Sequence, residues 1–483
     1  MSMHLHPDRL FPAEAAALAI ARRLFAEVEK LPVISPHGHT DPSWFARNEN
    51  FTDAADLFVV PDHYLLRMFH SQGLSYDDFG IARLPGAGQV GAKSTLTDRS
   101  VNRPKNRREI WHQFCANYHL FAATPSKIWI DHSLSMFFGI NQPLSEETAD
   151  ETYEVINSKL QSPDMRPLAI LDASNVEIIA TTEYALDPLE HHRALADKGL
   201  LTRIRTTYRP DDVTDPDNPA FTQNLEALGG LTGENTAIWS GLIKAHGARR
   251  DFFRNFGATA TDHGVPTAMT CDLSGPEKQH LLDGALQGNL DPSQAEQFRG
   301  QMLTEMAALS AEDGMTMQIH AGSHRGHDAA LLATYGRDKG ADIPQRGEFT
   351  NALKPLLNRH GNSANFNLIL FTLDETTYAR ELAPLAGYWR TVKIGPPWWF
   401  HDSSAGIRRY FDQIVETAGI YNLAGFNDDT RALLSIPARH DVWRRETCRF
   451  LAEKVAERVL DEDEALRIAR HLCYTAACQA YSL

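Results

Sequence analysis

Three clusters of imidazole, carboxylate and guanidinium side chains each follow an apolar, β-rich run, with spacings that suit chemistry. The first is Pro36-His37-Gly38-His39-Thr40-Asp41-Pro42, directly after Leu31–Ser35. Residues i and i+2 of a strand project to one face, so His37 and His39 can share one metal ion. Imidazole suits zinc and other first-row ions. Gly38 between the two leaves room for close approach. His4-Leu5-His6 has the same spacing, but no strand precedes it, and it is not read as a site. The second cluster is Asn427-Asp428-Asp429-Thr430-Arg431, after Tyr421–Phe426. Asp429 can complete a metal site with His37 and His39, or take a proton from a substrate held there, and Arg431 would fix a charged oxygen. A helix N-cap would explain one of these residues but not the whole cluster. The third cluster, His320-Ala321-Gly322-Ser323-His324-Arg325-Gly326-His327, closes Met315–His320. His320 can point from the strand end into a cavity, whereas His324 and His327 read as loop residues. The plainer reading of His320 is a hydrogen-bonded core histidine.

Elements that could position these groups recur along the chain. Eight β-rich runs bounded by breakers are expected at Leu31–Ser35, Val176–Thr182, Leu201–Thr207, Gly257–Thr261, Met315–His320, Phe366–Thr372, Thr391–Ile394 and Tyr421–Phe426. The fourth is the weakest, and Pro266–Cys271 competes with it. Helical patterns separate most of them. Ile407, Tyr410, Phe411, Ile414 and Val415 share one helix face, as do Phe298, Met302, Met306 and Leu309 behind an Asp291-Pro292-Ser293 start. Strands alternating with helices imply parallel βα units, and eight of them imply an α/β fold of the (β/α)8 TIM-barrel type, with an open doubly wound sheet as the alternative. The gap from His37 to Val176 is too long for one βα unit. It holds helical material at Asp53–Phe58, Asp62–Gln72, Arg107–Phe121 and Ser145–Lys159, with a loop at Pro85-Gly86-Ala87-Gly88. The expected organisation is therefore an N-terminal helix and first strand (1–43), a mostly helical insertion (44–165) lying over the active-site face, and the rest of the barrel (166–483).

Composition narrows the function. The 483 residues carry 47 basic and 62 acidic side chains, a net charge of −15, which argues against a nucleic-acid surface. The arginine pairs Arg107-Arg108, Arg249-Arg250 and Arg444-Arg445 are not stripes. Five cysteines without metal-type spacing suggest a reduced, cytoplasmic protein. No apolar run reaches the roughly 20 residues a membrane span needs. Ala15–Leu24 reads as part of an amphipathic helix rather than a signal core. The fourth run offers Thr261-Asp262-His263 with no lysine, and the sixth ends at Asp374 with no histidine, so one metal is favoured over two.

His-x-His after the first strand, His after the fifth and Asp after the eighth resembles the amidohydrolase superfamily. Within it, the chain resembles the uronate (glucuronate) isomerase family over nearly its whole length. The matching segments are Ser35–Pro42, Pro61–Arg67, Thr181-Thr182 with Asp187–Arg193, Tyr208–Asp211, Thr261–Gly264, Gly395–Phe400, Asp429–Arg431 and Ala438–His440. The Trp-Trp-Phe and Asp-Thr-Arg segments are the most specific. The resemblance implies aldose–ketose interconversion of D-glucuronate with D-fructuronate, and of D-galacturonate with D-tagaturonate. It further implies that His37, His39 and Asp429 hold one divalent ion, often taken to be zinc in the family. His63 and Tyr64 would reach the substrate from the insertion. Arg209, Asp262, His320, Trp398 or Trp399, and Arg431 would line the pocket, and a homo-oligomer is expected.

That chemistry needs a base to move a proton between C2 and C1, an electrophile for the carbonyl oxygen and a clamp for the carboxylate. Asp429 and Tyr64 are the base candidates, the phenol requiring a lowered pKa from neighbours such as Arg431. Arg209 offers a bidentate fork for the carboxylate. A metal-dependent hydrolase using the same His37, His39 and Asp429 is the runner-up, and a non-catalytic scaffold is the third reading.

Overall fold

The computed structural model describes residues 5–84 and 106–483. The Pro85-Gly86 loop, the stretch to Thr97 and His4 lie outside the described residues. Seven parallel strands form one curled sheet in chain order: Val33–Ser35, Val176–Tyr184, Ile204–Arg209, Ala260–Val265, Thr316–Ala321, Leu368–Thr372 and Val392–Ile394. Helices cover its outer face, giving a TIM-barrel-like arrangement. The inner strands read as continuous buried runs: all five residues of Leu368–Thr372 and all six of Thr316–Ala321 are buried. Strands covered on both faces have that pattern rather than alternation.

Seven of the eight expected runs are strands, with ends shifted by up to four residues. The largest shift is in the fourth, which runs Ala260–Val265 rather than Gly257–Thr261. Gly257 instead closes the preceding helix, Trp239–Arg254. It has φ +87°, and the Ala258 amide donates back to Phe253 O at 3.2 Å, a left-handed helix stop. Pro266–Cys271 is not a strand either. The eighth run is not a strand. Ile420–Asn422 is a single 3-10 turn, Leu423 makes one parallel bridge to Ile394, and the chain then runs irregularly to Arg431. Gly425 is at φ +79°, a conformation that breaks a regular ladder. The two ends of the sheet nevertheless meet: the His39 amide donates to Thr430 O at 2.9 Å.

The segment between the first two strands is helical, at Pro42–Arg47, Ala54–Phe58, His63–Ser71, Arg107–Ala116, Pro125–Phe138, Ala149–Leu160 and Pro167–Ala173 among others. Pro125–Phe138 is an addition to the helices expected there. Its proline at the first position and Thr124 cap are the signals that mark its start. The helices enclose an aromatic core in which Phe69 stacks on Phe79 at 4.0 Å and meets Phe121 edge-on at 5.3 Å. The same core runs on to Val33, Val176 and Ile204 of the sheet, so the helices are seated against the first three strands. The helix Pro292–Asp313 begins at a capping box of Asp291 and Gln294 and buries Phe298, Met302 and Met306. Ser404–Ala418 buries Ile407, Tyr410, Phe411 and Ile414, the face its periodicity indicates. A two-stranded antiparallel pair, Ser323–His324 with Ile343–Pro344, follows the fifth main strand and has no signal in the periodicity.

Candidate active site

A cavity of about 550 Å3 opens where the main strands end, the expected face of such a fold. It is lined by His37, His39, His63, Tyr64, Arg209, Asp262, His320, Trp398, Trp399, Asp429 and Arg431, so the catalytic, binding and metal candidates of the sequence all reach one place. Each arrives by a different local rule. His37 and His39 follow the first strand, and Asp429 returns to them at φ +43°, a left-handed backbone conformation uncommon for residues other than glycine. His63 and Tyr64 occupy the first turn of a helix capped by Asp62, whose carboxylate accepts from the Tyr64 amide at 2.8 Å. Leu65, Leu66 and Phe69 of that helix turn the other way, into the aromatic core. Trp399 also sits at positive φ (+49°), meeting His63 edge-on at 5.5 Å, while Trp398 packs edge-on against His320 at 4.7 Å.

Asp429 Oδ1 lies 3.5 Å from His37 Nε2 and 3.2 Å from His39 Nε2. His320 stacks on His37 at 5.1 Å and on Phe371 at 4.0 Å, and its Nδ1 meets Asp262 Oδ1 at 2.7 Å. Two groups of ligand atoms fit a single ion, His37 with His39 and Asp262, and His37 with His320 and Asp429. His320 Nε2 and Asp429 Oδ1 are buried without a hydrogen-bond partner, the condition a metal ion would relieve. Burial holds His37 down at about 4, the neutral state that ligation needs. Burial opposes ionisation of Asp429, but the adjacent imidazoles of His39 and His37 hold it well below the usual carboxylate range. The donor set therefore fits a divalent ion, and it brings His320 and Asp262 closer to that position than the sequence implied. Gly38 is not forced by close packing, since a Cβ there would stand 3.4 Å from Thr430 O, an ordinary contact.

Two expectations about charge change. The sequence reading has Arg431 lowering the pKa of Tyr64. The Tyr64 hydroxyl instead donates to Asp402 Oδ2 at 2.9 Å, and desolvation together with that carboxylate pushes the phenol well above its ordinary range. Arg431 is committed to Asp338 at 3.2 Å. Arg209 is half engaged as well: Nε donates to Asp211 at 2.7 Å and Nη1 lies 3.0 Å from Asp262, which leaves Nη2 as the remaining arm of the fork. A Cβ at Gly264 would fall 2.5 Å from Arg209 Nη2 and 2.9 Å from Asp211 Oδ2, so any larger residue there would displace that pair.

Sequence reasoning gave no role to Asp402, Arg439, Arg325, Asp338 or Glu183. Asp402 follows the Trp-Trp-Phe segment by two residues, and Arg439 stands inside Ala438–His440, so both signals were adjacent to the matched motifs. Arg325 and Asp338 belong to the excursion after the fifth strand and pair at 3.4 Å, with Arg325 also 5.9 Å over Trp399.

Comparison with known proteins agrees with this geometry. A family model described as glucuronate isomerase matches residues 94–481. The uronate isomerase of Xanthomonas campestris pv. campestris (strain B100) is 50% identical over 479 residues, covering 99% of each chain. The crystal structure of glucuronate isomerase from Caulobacter crescentus superposes with a TM-score of 0.93 at 47% identity, over 99% of this chain and 96% of that one. The uronate isomerase structure from Thermotoga maritima gives 0.89 at 26% identity, over 99% and 100%. Similarity of this extent, carried through the sheet, the helical segment and the cavity alike, places the chain in the glucuronate (uronate) isomerase family.

Proposed function

We propose that the protein interconverts aldose and ketose uronates, D-glucuronate with D-fructuronate and D-galacturonate with D-tagaturonate, in hexuronate catabolism. The observation that carries this reading is full-length identity of 50% to a uronate isomerase. The cavity supports it, because imidazoles, an ionised carboxylate, a neutral phenol and arginines converge there. On this reading His37, His39 and Asp429 hold one divalent ion, zinc, with His320 beside it, and the ion when bound polarises the sugar's oxygens. Asp429 takes the proton from C2 and returns it to C1. Its ionised state at neutral pH suits that task, whereas a phenol with a raised pKa does not act as a carbon base. Tyr64 handles the hydroxyl protons. Arg431, Arg325 and the free arm of Arg209 attract the substrate's carboxylate and enediolate charge. His63 packs at the cavity wall, and Trp398 and Trp399 exclude water from the sugar face. The fold is read as a barrel of the (β/α)8 type in which an irregular segment takes the place of the eighth strand, with 44–165 as an insertion between 1–43 and 166–483. The protein is read as cytoplasmic and homo-oligomeric.

Incubation with D-glucuronate in D2O tests the assignment. The wild-type protein accumulates a ketose whose mass differs from the aldose only by solvent deuterium, with deuterium entering at C2 of recovered aldose. Asp429→Asn loses that exchange by about 100-fold or more. Tyr64→Phe loses ketose formation more than exchange. Wild-type exchange rates in both variants would sink the residue roles, and hydrolysis in place of isomerisation would sink the activity.

A further inference from the structure

Asp402 stands at the end of the short 3-10 turn Trp399–His401, on the cavity wall. Its side chain is 11% exposed. One carboxylate oxygen, Oδ2, accepts from the Tyr64 hydroxyl at 2.9 Å and from Arg439 Nη1 at 2.7 Å. The other, Oδ1, is buried without a hydrogen-bond partner among the described residues. Arg439 is fixed in turn: Nη1 donates to Asp428 O at 3.2 Å, and its guanidinium lies 3.5 Å over the Trp129 ring. Three distant elements thus converge: the helix carrying Tyr64, the turn carrying Asp402 and the long helix Ile436–Ala456 carrying Arg439.

The direction of the phenol's proton is the informative feature. A hydroxyl has one proton, and here it points at carboxylate and carbonyl acceptors, Asp402 Oδ2 and Trp399 O (3.2 Å), rather than at a substrate oxygen. The phenol oxygen can then only accept from a substrate hydroxyl, unless Asp402 takes the phenolic proton and later gives one back.

We propose that Asp402 is the proton partner of Tyr64, and that the pair relays the hydroxyl proton of the isomerisation from O2 to O1 of the substrate. This rests on the isomerase reading above. In the first step of one turnover the O2–H bond breaks and a Tyr64 O–H bond forms, while the phenol's original O–H bond breaks and an Asp402 O–H bond forms. In the second, Asp402 returns its proton to the phenol oxygen as the phenol delivers its own to O1, and the reverse reaction runs the same steps backwards. Both residues finish as they began, and Asp429 independently carries the carbon-bound proton. Burial lifts the Asp402 carboxyl to about 6 despite Arg439, so it is a competent acceptor near neutrality. The other charged groups facing this pair are Asp429, Asp62 and Arg67.

The test compares wild-type protein, Asp402→Asn, Tyr64→Phe and the double variant on D-glucuronate, with kcat, KM and C2 exchange followed from pH 5 to 9. Asparagine can still accept from Tyr64 and Arg439 but cannot take a proton. The expected result for Asp402→Asn is a kcat for ketose formation lower by about 100-fold. KM should stay within about threefold, C2 exchange should persist, and adding Tyr64→Phe should cost little more. A wild-type kcat for Asp402→Asn, or losses that multiply in the double variant, would overturn the proposal. If circular dichroism shows Asp402→Asn unfolded, Asp402→Glu decides: it keeps the acceptor, so kcat persists with a displaced acid limb, and an unmoved pH profile counts against the relay. Wild-type protein inactive on every uronate would instead defeat the isomerase reading itself.

Discussion

The imidazoles of His37, His39 and His320 face a carboxylate oxygen of Asp429 that has no hydrogen bond of its own. An unpaired buried acceptor is costly, about 1–3 kcal/mol, and more when charged. A divalent ion removes that cost because neutral imidazoles and a carboxylate are its natural donors. Purified protein equilibrated with Zn2+ and desalted should retain about one equivalent by elemental analysis. His37→Asn should retain at least tenfold less at the same free metal, and equal retention would refute the site. His37 and His39 were legible in the sequence from their close spacing after an apolar run, although the strand ends at Ser35 and the irregular segment beyond it, not the strand repeat, carries the two imidazoles. The partnership of Asp262 with His320 was not, since it joins neighbouring strands whose register only the sheet defines.

Among the elements, the second strand shows how a ladder builds a titrating group beside the cavity. Thr181 and Glu183, two apart, both approach His192 on the following helix: Thr181 Oγ1 at 3.0 Å and Glu183 Oε2 at 3.8 Å from Nε2. Thr206 of the third strand donates to the same Glu183 carboxyl. Burial dominates and lifts Glu183 to about 8, against roughly 4.3 in an unfolded chain. The folded state therefore binds the extra proton, and stability from this group is full below about pH 4 and lost as pH rises towards 8. Glu183→Gln is neutral throughout, so its melting temperature relative to wild type should climb from pH 5 to 8 and level off above. The limit on that slope is about 1.4 kcal/mol per pH unit. A constant difference across that range would show that Glu183 does not carry the proton.

For the whole molecule, catalysis depends on how the helical segment is seated against the sheet. Tyr64 and Phe69 share one helix, the first facing the cavity and the second buried in the aromatic core with Phe79, Phe114 and Phe121. Removing the Phe69 ring should cost about 3–5 kcal/mol of stability. Phe69→Ala should also lower kcat, because the cavity it leaves loosens the turn that presents His63 and Tyr64. Loss of stability with unchanged kcat would show that the two faces of the helix are independent. The global charge of −15 opposes an anionic substrate. Arg209, Arg325, Arg337 and Arg431 reach the cavity, but carboxylates outnumber them in its lining, so an anion there depends on individual guanidinium contacts rather than on a net positive field.

The sequence by itself determined which side chains could do chemistry, seven of the strands and the amphipathic faces of the covering helices, because strand and helix periodicities are local properties of the chain. It also marked the helix starts at Asp62 and Asp291, where a carboxylate satisfies amides one turn away. Its apolar content points to a strand at Tyr421–Phe426 where none forms, because pairing there is decided by Gly425 and by what packs on it. Only the tertiary structure decided the charge states. Tyr64 ionises less easily than the sequence suggests, because Asp402 is more than three hundred residues away in the chain yet 2.9 Å away in space. Arg209 and Arg431, free in the sequence reading, are paired for the same reason. A pKa is set by burial and by neighbours within a few ångströms, and the chain order does not contain those distances.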